Sequence, residues 1–340
     1  MTLPSRAVGL LLGYAADRLL GDPQRLHPVA GFGLLASRLE QQVYAERRAR
    51  GVAYAATLVG AAALVGLPVE SGRARRLAGG SLHAVLTAAA TWAVLGGHSL
   101  GREAAAVGTL LDAGDLAGAR ARLTHLVGRD PSRLDADEIA RAVVESVAEN
   151  TSDAVVAPLL WGAVVGAPGL LGYRAANTLD AMVGHRSPRY ERFGWAAARL
   201  DDLLNLPAAR LAGLLTAVVS PRRSAAVVRT WRRDAGAHPS PNAGVVEAAF
   251  AGALDLTLGG TNVYGDRVEQ RALLGDGRAP SVADIERSRR LARRLGLACV
   301  VVAAGIAAAT GSASSRPASR VAARGVARAV AGGCRRLTHE

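Results

Sequence analysis

Glu145, Glu149 and Asp153 recur every four residues along the chain. On an α-helix that spacing places them along one face, where like charges repel. The arrangement costs stability unless a cation compensates. Arg141, four residues before Glu145, can serve one of them. Mg2+, which takes oxygen ligands, suits the others. Asn150 adds a neutral carbonyl and an amide donor to the same stretch. A second cluster holds Asn177 and Asp180, three apart, with His185 just beyond. A third holds Asp201 and Asn205, four apart, with Asp202 beside Asp201 and Arg199 two residues before. Neighbouring carboxylates cannot both point the same way on a helix, so one is left for metal and the other for Arg199.

Two further clusters are made of loop residues. Gly21-Asp22-Pro23 reads as a turn that ends the first helix, with His27 close behind. His238-Pro-Ser240-Pro-Asn242-Ala-Gly244 is a stiffened loop whose hydroxyl and amides suit phosphate or substrate amides, with Arg232 and Arg233 upstream. By residue type and spacing, the metal candidates are Glu145, Glu149 and Asp153. The catalytic candidates are Glu145, Asp153, Asp180, Asp201 and His185, with His27 as a second candidate base. Asp22, His27, Asn150, Asn177, Asn205, Ser240 and Asn242 are the substrate-binding candidates. Each cluster has a plain alternative: a solvated acidic face, a helix cap, or a simple loop.

The elements that must position these residues are apolar helices. The chain has 340 residues, is 50% hydrophobic but only 4% aromatic, and carries a net charge of +13. Mean hydropathy is +0.18 with 20% charged residues, so the apolar residues are segregated into blocks. Residues 51–69 and 154–172 hold no charge, and 81–100 holds no Asp, Glu or Arg. About 20 apolar residues cross a bilayer core as a helix. Residues 203–220 and 295–311 are weaker candidates. Pro158 and Pro168 are expected to break the segment 154–172, so that both its ends return to one side. The predicted fold is all-α, a polytopic membrane protein with cytoplasmic helical and loop segments. Its expected parts are a membrane-embedded region (1–220), a cytoplasmic segment plus a last apolar helix (221–311), and a disordered basic tail (312–340). Thirteen arginines between Pro221 and Arg294 make that stretch the best cytoplasmic candidate.

Between the blocks, 102–128 reads as two short helices around Ala113-Gly114-Asp115. Asp135 and Glu138 form a capping box that opens the next helix. Strand-like alternation is scarce, and Gly259-Gly260 reads as a flexible loop. All 41 basic residues are arginine. That excludes a Walker A lysine, a Schiff-base lysine and an adenylyl-lysine. Two cysteines without a CxxC pair exclude a disulfide framework and a cysteine-rich zinc site. Dispersed charge and few aromatic residues argue against nucleic acid.

Taken together, the clusters resemble one family, the integral-membrane adenosylcobinamide-phosphate synthases of cobalamin biosynthesis, CobD or CbiB. The resemblance runs from about Gly13 to Gly275. DRLLGDPQRLHPVAGFG (17–33), GRDPSRLD (128–135) and ARAVVESVAENTSDAVVAPLLW (140–161) carry it, with YRAANTLDAMVGHRSPRYERFGWAAARLDDLLNLPAAR (173–210) and HPSPNAG (238–244). It implies that a carboxylate of adenosylcobyric acid is joined to (R)-1-amino-2-propanol or its O-phosphate, with ATP as energy source. Mg2+ would neutralise phosphate charge, and arginines would orient phosphates bidentately. The implied partners are the corrinoid, the amine and the lipid bilayer of the cell membrane. The active site would face the cytoplasm, in contact with other enzymes of the pathway. An ion-coupled membrane transporter is the alternative from another class, because intramembrane carboxylates and proline-broken helices suit it too. A scaffold for pathway enzymes is a third.

Overall fold

The computed structural model describes residues 4–21, 27–128, 130–185, 187–264 and 267–315. Asp22 lies outside the described residues, as do residues 316–340 of the expected tail.

The described chain is a bundle of helices with one β-hairpin. Helices α1 (Ser5–Leu20), α2 (Pro28–Val43) and α3 (Arg48–Gly66) lead into the short α4 (Gly72–Arg76) and α5 (Ser81–Val94). Then come α6 (Gly97–Asp112), α7 (Leu116–Leu123), α8 (Ala136–Thr151), α9 (Ala157–Val165) and α10 (Ala167–Leu179). The one-turn α11 (Tyr190–Phe193) precedes α12 (Trp195–Val219), α13 (Ser224–Asp234) and α14 (Ala243–Leu254). Strands β1 (Leu258–Tyr264) and β2 (Arg267–Leu274) pair antiparallel, and α15 (Val282–Ser315) closes the described chain. Three helices are long and apolar enough to cross a membrane: Arg48–Gly66, Trp195–Val219 and Val282–Thr310. Leu64, Val65, Val218 and Val301 on these helices stay exposed.

Local chemistry explains several boundaries. Asp135 accepts from the Glu138 N–H (2.8 Å) while Glu138 accepts from the Asp135 N–H (2.9 Å), so both arms of the expected capping box are formed. The two short helices around Gly114 are α6 and α7, with Asp115 capping α7. Helix α1 packs on α5 through small residues: a Cβ on Gly9 would lie 2.5 Å from Thr87 Cβ, and one on Gly13 would overlap Thr91. Glycines four apart let backbones approach this closely without a large side chain between them.

Three expectations about the blocks need correction. The run 81–100 is not one helix. It ends at Val94, and a new helix starts at Gly97 after the extended Leu95. The segment 154–172 is broken, but by glycine rather than proline. Gly166, at φ +81°, separates α9 from α10. Pro158 lies inside helical backbone that is continuous from α8 into α9, and Pro168 sits in the first turn of α10. The two helices then fold back on each other as a hairpin. Glu70 accepts from the Ala167 N–H (3.1 Å), from Arg6 (2.6 Å) and from Arg75 (2.5 Å), with His83 3.5 Å away. Burial alone would raise its carboxyl; these hydrogen bonds outweigh burial and hold it below the usual carboxylate range.

The third correction concerns Gly259-Gly260, which is not a free loop. Both residues lie in β1 at positive φ (88° and 92°), where the register shifts between Leu258 and Gly260. The extra residue lies on β2, where Ala272 and Leu273 oppose Gly259, and a Cβ on Gly259 would lie 2.2 Å from the Ala272 carbonyl oxygen. The stretch 221–311 packs on the rest of the bundle: α14 lies against α8 and α12, and α15 lies against α1, α6, α8 and α9. The last helix runs through Ser315 and so takes in the first four residues of the expected tail.

Candidate active site

Three helical segments converge on one polar cluster. The first is the end of α8 and a wide π turn, Ser152–Val156, which carry Glu149 and Asp153. The second is α10 and a second π turn, Asp180–Gly184, carrying Tyr173, Arg174, Asn177 and Asp180. The third is α12, carrying Asp201 and Asn205. Single π turns inserted in α-helices occur frequently at functional sites. The first has a visible cause. Pro158 cannot donate to the turn before it. The Asp153 carbonyl instead lies 3.1 Å from the Tyr173 hydroxyl, and the Ala154 carbonyl accepts from the Gly96 N–H (3.2 Å).

A directed chain of hydrogen bonds links the segments. Arg174 donates to Asn177 Oδ1 (3.3 Å). A guanidinium cannot accept, so the Asn177 Nδ2 must face the other way, where it donates to Asp201 Oδ1 (3.3 Å). Asn205 Nδ2 donates to Asp201 Oδ2 (3.0 Å), and the Tyr173 hydroxyl lies 2.9 Å from Asn205 Oδ1. Asp201 is therefore held as a double acceptor while only 8% exposed, and Asn205 is 1% exposed. Around this chain the carboxylates crowd one another. Asp153 is repelled by Asp201, Glu149 and Asp180 and attracted by Arg174. Asp180 in turn feels Asp201, Asp202 and Glu149. Asp202 turns away to Arg199 (3.5 Å), the division of labour expected for neighbouring carboxylates.

Of the residues singled out in the sequence, Glu149, Asp153, Asn177, Asp180, Asp201 and Asn205 meet here. The others go elsewhere. Glu145 accepts from the Gly259 N–H in β1 (2.9 Å) and faces Arg141 (3.8 Å). Arg141 itself donates to the carbonyls of Gly259 and Thr261. The cause is helical phase: eight residues at about 100° each leave Glu145 about 80° away from Asp153. Asn150 folds back on the Ser146 carbonyl (2.9 Å). His27 caps α2 by accepting from the Val29 N–H (3.1 Å). His185 is exposed and sets its ring edge-on to Tyr190 (4.9 Å between centroids). Ser240 accepts from the N–H groups of Asn242 (3.3 Å) and Ala243 (3.1 Å) at the start of α14. Asn242 ties α14 to α12 through Arg210 (2.8 Å) and the Asp202 carbonyl (2.8 Å). Tyr173 and Arg174 were not anticipated. Their signal is present, since Tyr173 lies four residues before Asn177 and shares its face.

Glu145→Gln should cost about 1 kcal/mol of stability, through loss of the Arg141 pairing at the hairpin, and leave metal dependence unchanged. Thermal melting and a Mg2+ titration of activity check this. A Mg2+ requirement raised as far as in Asp153→Asn would return Glu145 to the metal set.

Comparison with known proteins settles the family. The model of the CobD/Cbib protein family matches residues 10–292. The chain belongs to the CobD/CbiB family. A cobalamin biosynthesis protein CobD from Mycobacterium tuberculosis is 50% identical over 305 residues, covering 89% of this chain and 96% of the relative. One from Rhodobacter capsulatus is 45% identical, covering 85% of this chain and 93% of the relative. One from Stutzerimonas stutzeri is 45% identical, covering 82% and 89%. No solved structure matches. Membership assigns this CobD/CbiB chain a role as an enzyme of cobalamin biosynthesis.

Proposed function

We propose that the chain catalyses ATP-dependent amide formation between adenosylcobyric acid and (R)-1-amino-2-propanol or its O-phosphate, giving adenosylcobinamide or its phosphate. One observation carries the reading: four carboxylates from three helical segments converge around an ordered amide network, with the Arg174 guanidinium attracting Asp153. Among the described residues no three His, Cys, Asp or Glu side chains are close enough to enclose a bare ion. That suits Mg2+, which keeps several waters and is bound through one or two carboxylates plus substrate phosphates. Asp153 and Asp180 are the residues that would hold it. When bound, it supplies neutralisation of phosphate charge.

In the proposed reaction a corrinoid carboxylate oxygen attacks the γ-phosphorus of ATP and ADP leaves. The amine nitrogen then attacks the acyl carbon, phosphate departs, and the nitrogen's proton passes to a carboxylate of the cluster. Asn177 and Asn205 hold Asp201 in place as acceptor. Tyr173 and Arg174 fix the amides that hold it.

The proposed setting is the cell membrane, crossed several times, with this site open to the cytoplasm. The α9–α10 hairpin supports that geometry, because it brings Asp153 and Asp180 to the same end. Purified protein given adenosylcobyric acid, ATP and each amine separately should yield the amide product by mass. Movement of solute into sealed vesicles with no new amide would favour a transporter and sink this reading.

A further inference from the structure

A cavity of about 310 Å³ lies behind the acidic cluster, and none of the residues given roles in the ligation lines it. Its lining comes from α1 (Asp17, Arg18), α6 (Gly97, His98, Arg102), α15 (Arg289, Arg293) and Val155 of the first π turn. Four arginines line it beside Asp17; Glu286 also pairs with Arg289 and Arg293, and Glu103 lies 3.6 Å from Arg102, so four positive charges meet three negative ones. Arg289 is braced by donation to the Gly101 carbonyl (2.7 Å), and Arg293 by Glu286 (3.0 Å). The first turn of α6 opens into the cavity at Gly97 and His98, and a helix N-terminus favours negative charge. Gly97 has little room for a side chain. A Cβ on Gly97 would lie 3.0 Å from Val155 and 3.2 Å from Asp17 Oδ2.

The wall between cavity and acidic cluster is one backbone layer thick. Gly96, next to the lining residue Gly97, donates its N–H to the Ala154 carbonyl, one residue after Asp153. On the far side, a Cβ on Gly96 would lie 3.9 Å from Arg174 Nη2. A bound anion would therefore sit beside the carboxylates that need a cation.

We propose that this arginine-lined cavity binds the phosphate groups of a small phosphate ester. Guanidinium groups recognise phosphate oxygens in a planar, forked geometry, and a site of several such groups selects for multiple negative charges. Two sources share this chemistry: the polyphosphate of a nucleotide and the monophosphate of an amino alcohol. The ligase reading supplies only these candidate esters; the cavity's preference for phosphate rests on its own lining.

Calorimetric titration of the detergent-purified full-length chain tests it, with no corrinoid present. The ligands are ATP, inorganic tripolyphosphate, adenosine, (R)-1-amino-2-propanol and its O-phosphate. Binding of ATP and tripolyphosphate but not adenosine identifies the nucleotide source. Binding of the O-phosphate but not the free amine identifies the other. Arg18→Gln and Arg293→Gln should each weaken the anionic ligand about tenfold, whereas Arg293→Lys, which keeps the charge, should stay within about threefold. Anions that bind no better than their uncharged counterparts overturn the proposal, and so do Gln variants that titrate like the unaltered chain. A chain that binds polyphosphate but makes no amide keeps this site and loses the ligase reading. Amide formation with unchanged anion affinity in both Gln variants does the reverse.

Discussion

Asp201→Asn is expected to lower amide formation by about a hundredfold or more while leaving the protein folded. Both Asp201 oxygens accept amide N–H groups, from Asn177 on α10 and Asn205 on α12. Arg174 and Tyr173 fix those two amides from behind, so neither can turn its oxygen inward without losing a partner. An Asn at 201 presents one N–H to one of them, and one link of the chain must break. The loss costs about 1 kcal/mol, offset by relief of repulsion with Asp153 and Asp180, so the melting temperature should shift by only about a few degrees. Asp202→Asn is the control. Its carboxylate is 34% exposed and pairs with Arg199 in a surface geometry, so activity should fall less than about threefold. Product mass and a thermal melt on both variants decide the matter. Full activity in Asp201→Asn would remove the cluster from the reaction.

The largest structural effect is expected at Gly166. Its φ of +81° disfavours any residue with a Cβ, and that Cβ would collide with the Glu70 carboxylate that caps Ala167. Gly166→Val should cost about 3 kcal/mol or more, and the yield of monodisperse protein after detergent extraction should collapse. Pro158→Ala should be nearly neutral, because the Ala154 carbonyl, which an N–H at 158 would reach in an α turn, already accepts from Gly96. Pro168→Ala should also be mild, since a first-turn proline withholds no intrahelical bond. Equal damage from the two prolines, with a tolerated valine at 166, would contradict the account of the hairpin.

Much of the cluster was legible because it was written in helical spacings. Asn177 pairs with Asp180, and Asp201 with Asn205, on shared faces, and those faces do meet. The split between Asp201 and Asp202 comes from the same geometry. Glu145 was misplaced because four-residue spacing only approximates a face. Over two steps the drift is large enough to deliver a side chain to a different neighbour, and the hairpin that receives it lies 114 residues away in sequence. The break at Gly166 carried a readable signal: a glycine with a proline two residues later is a helix stop. The expected break falls at Pro158 and Pro168 instead, because proline is the stronger helix breaker. His27, Ser240 and Asn242 illustrate another limit. Polar groups beside prolines suit ligands and helix starts equally well, and only tertiary contacts tell which role each takes.

The first wide turn has a consequence for tolerance to changes in chain length. A π turn holds one residue more than an α turn, so Ser152–Val156 acts as an inserted residue absorbed without ending the helix. Deleting one residue within 152–156 would let ordinary α-helix close across the gap. Five residues at about 82° each cover nearly the same angle as four at about 100°, so the chain downstream would keep its azimuth relative to α8. Leu159 and Ala163, both fully buried, would stay in the core. A deletion inside α9 would instead turn everything between it and Gly166 by about 100°. This short stretch is therefore a place where the helix can lose a residue as a shortening rather than a rotation.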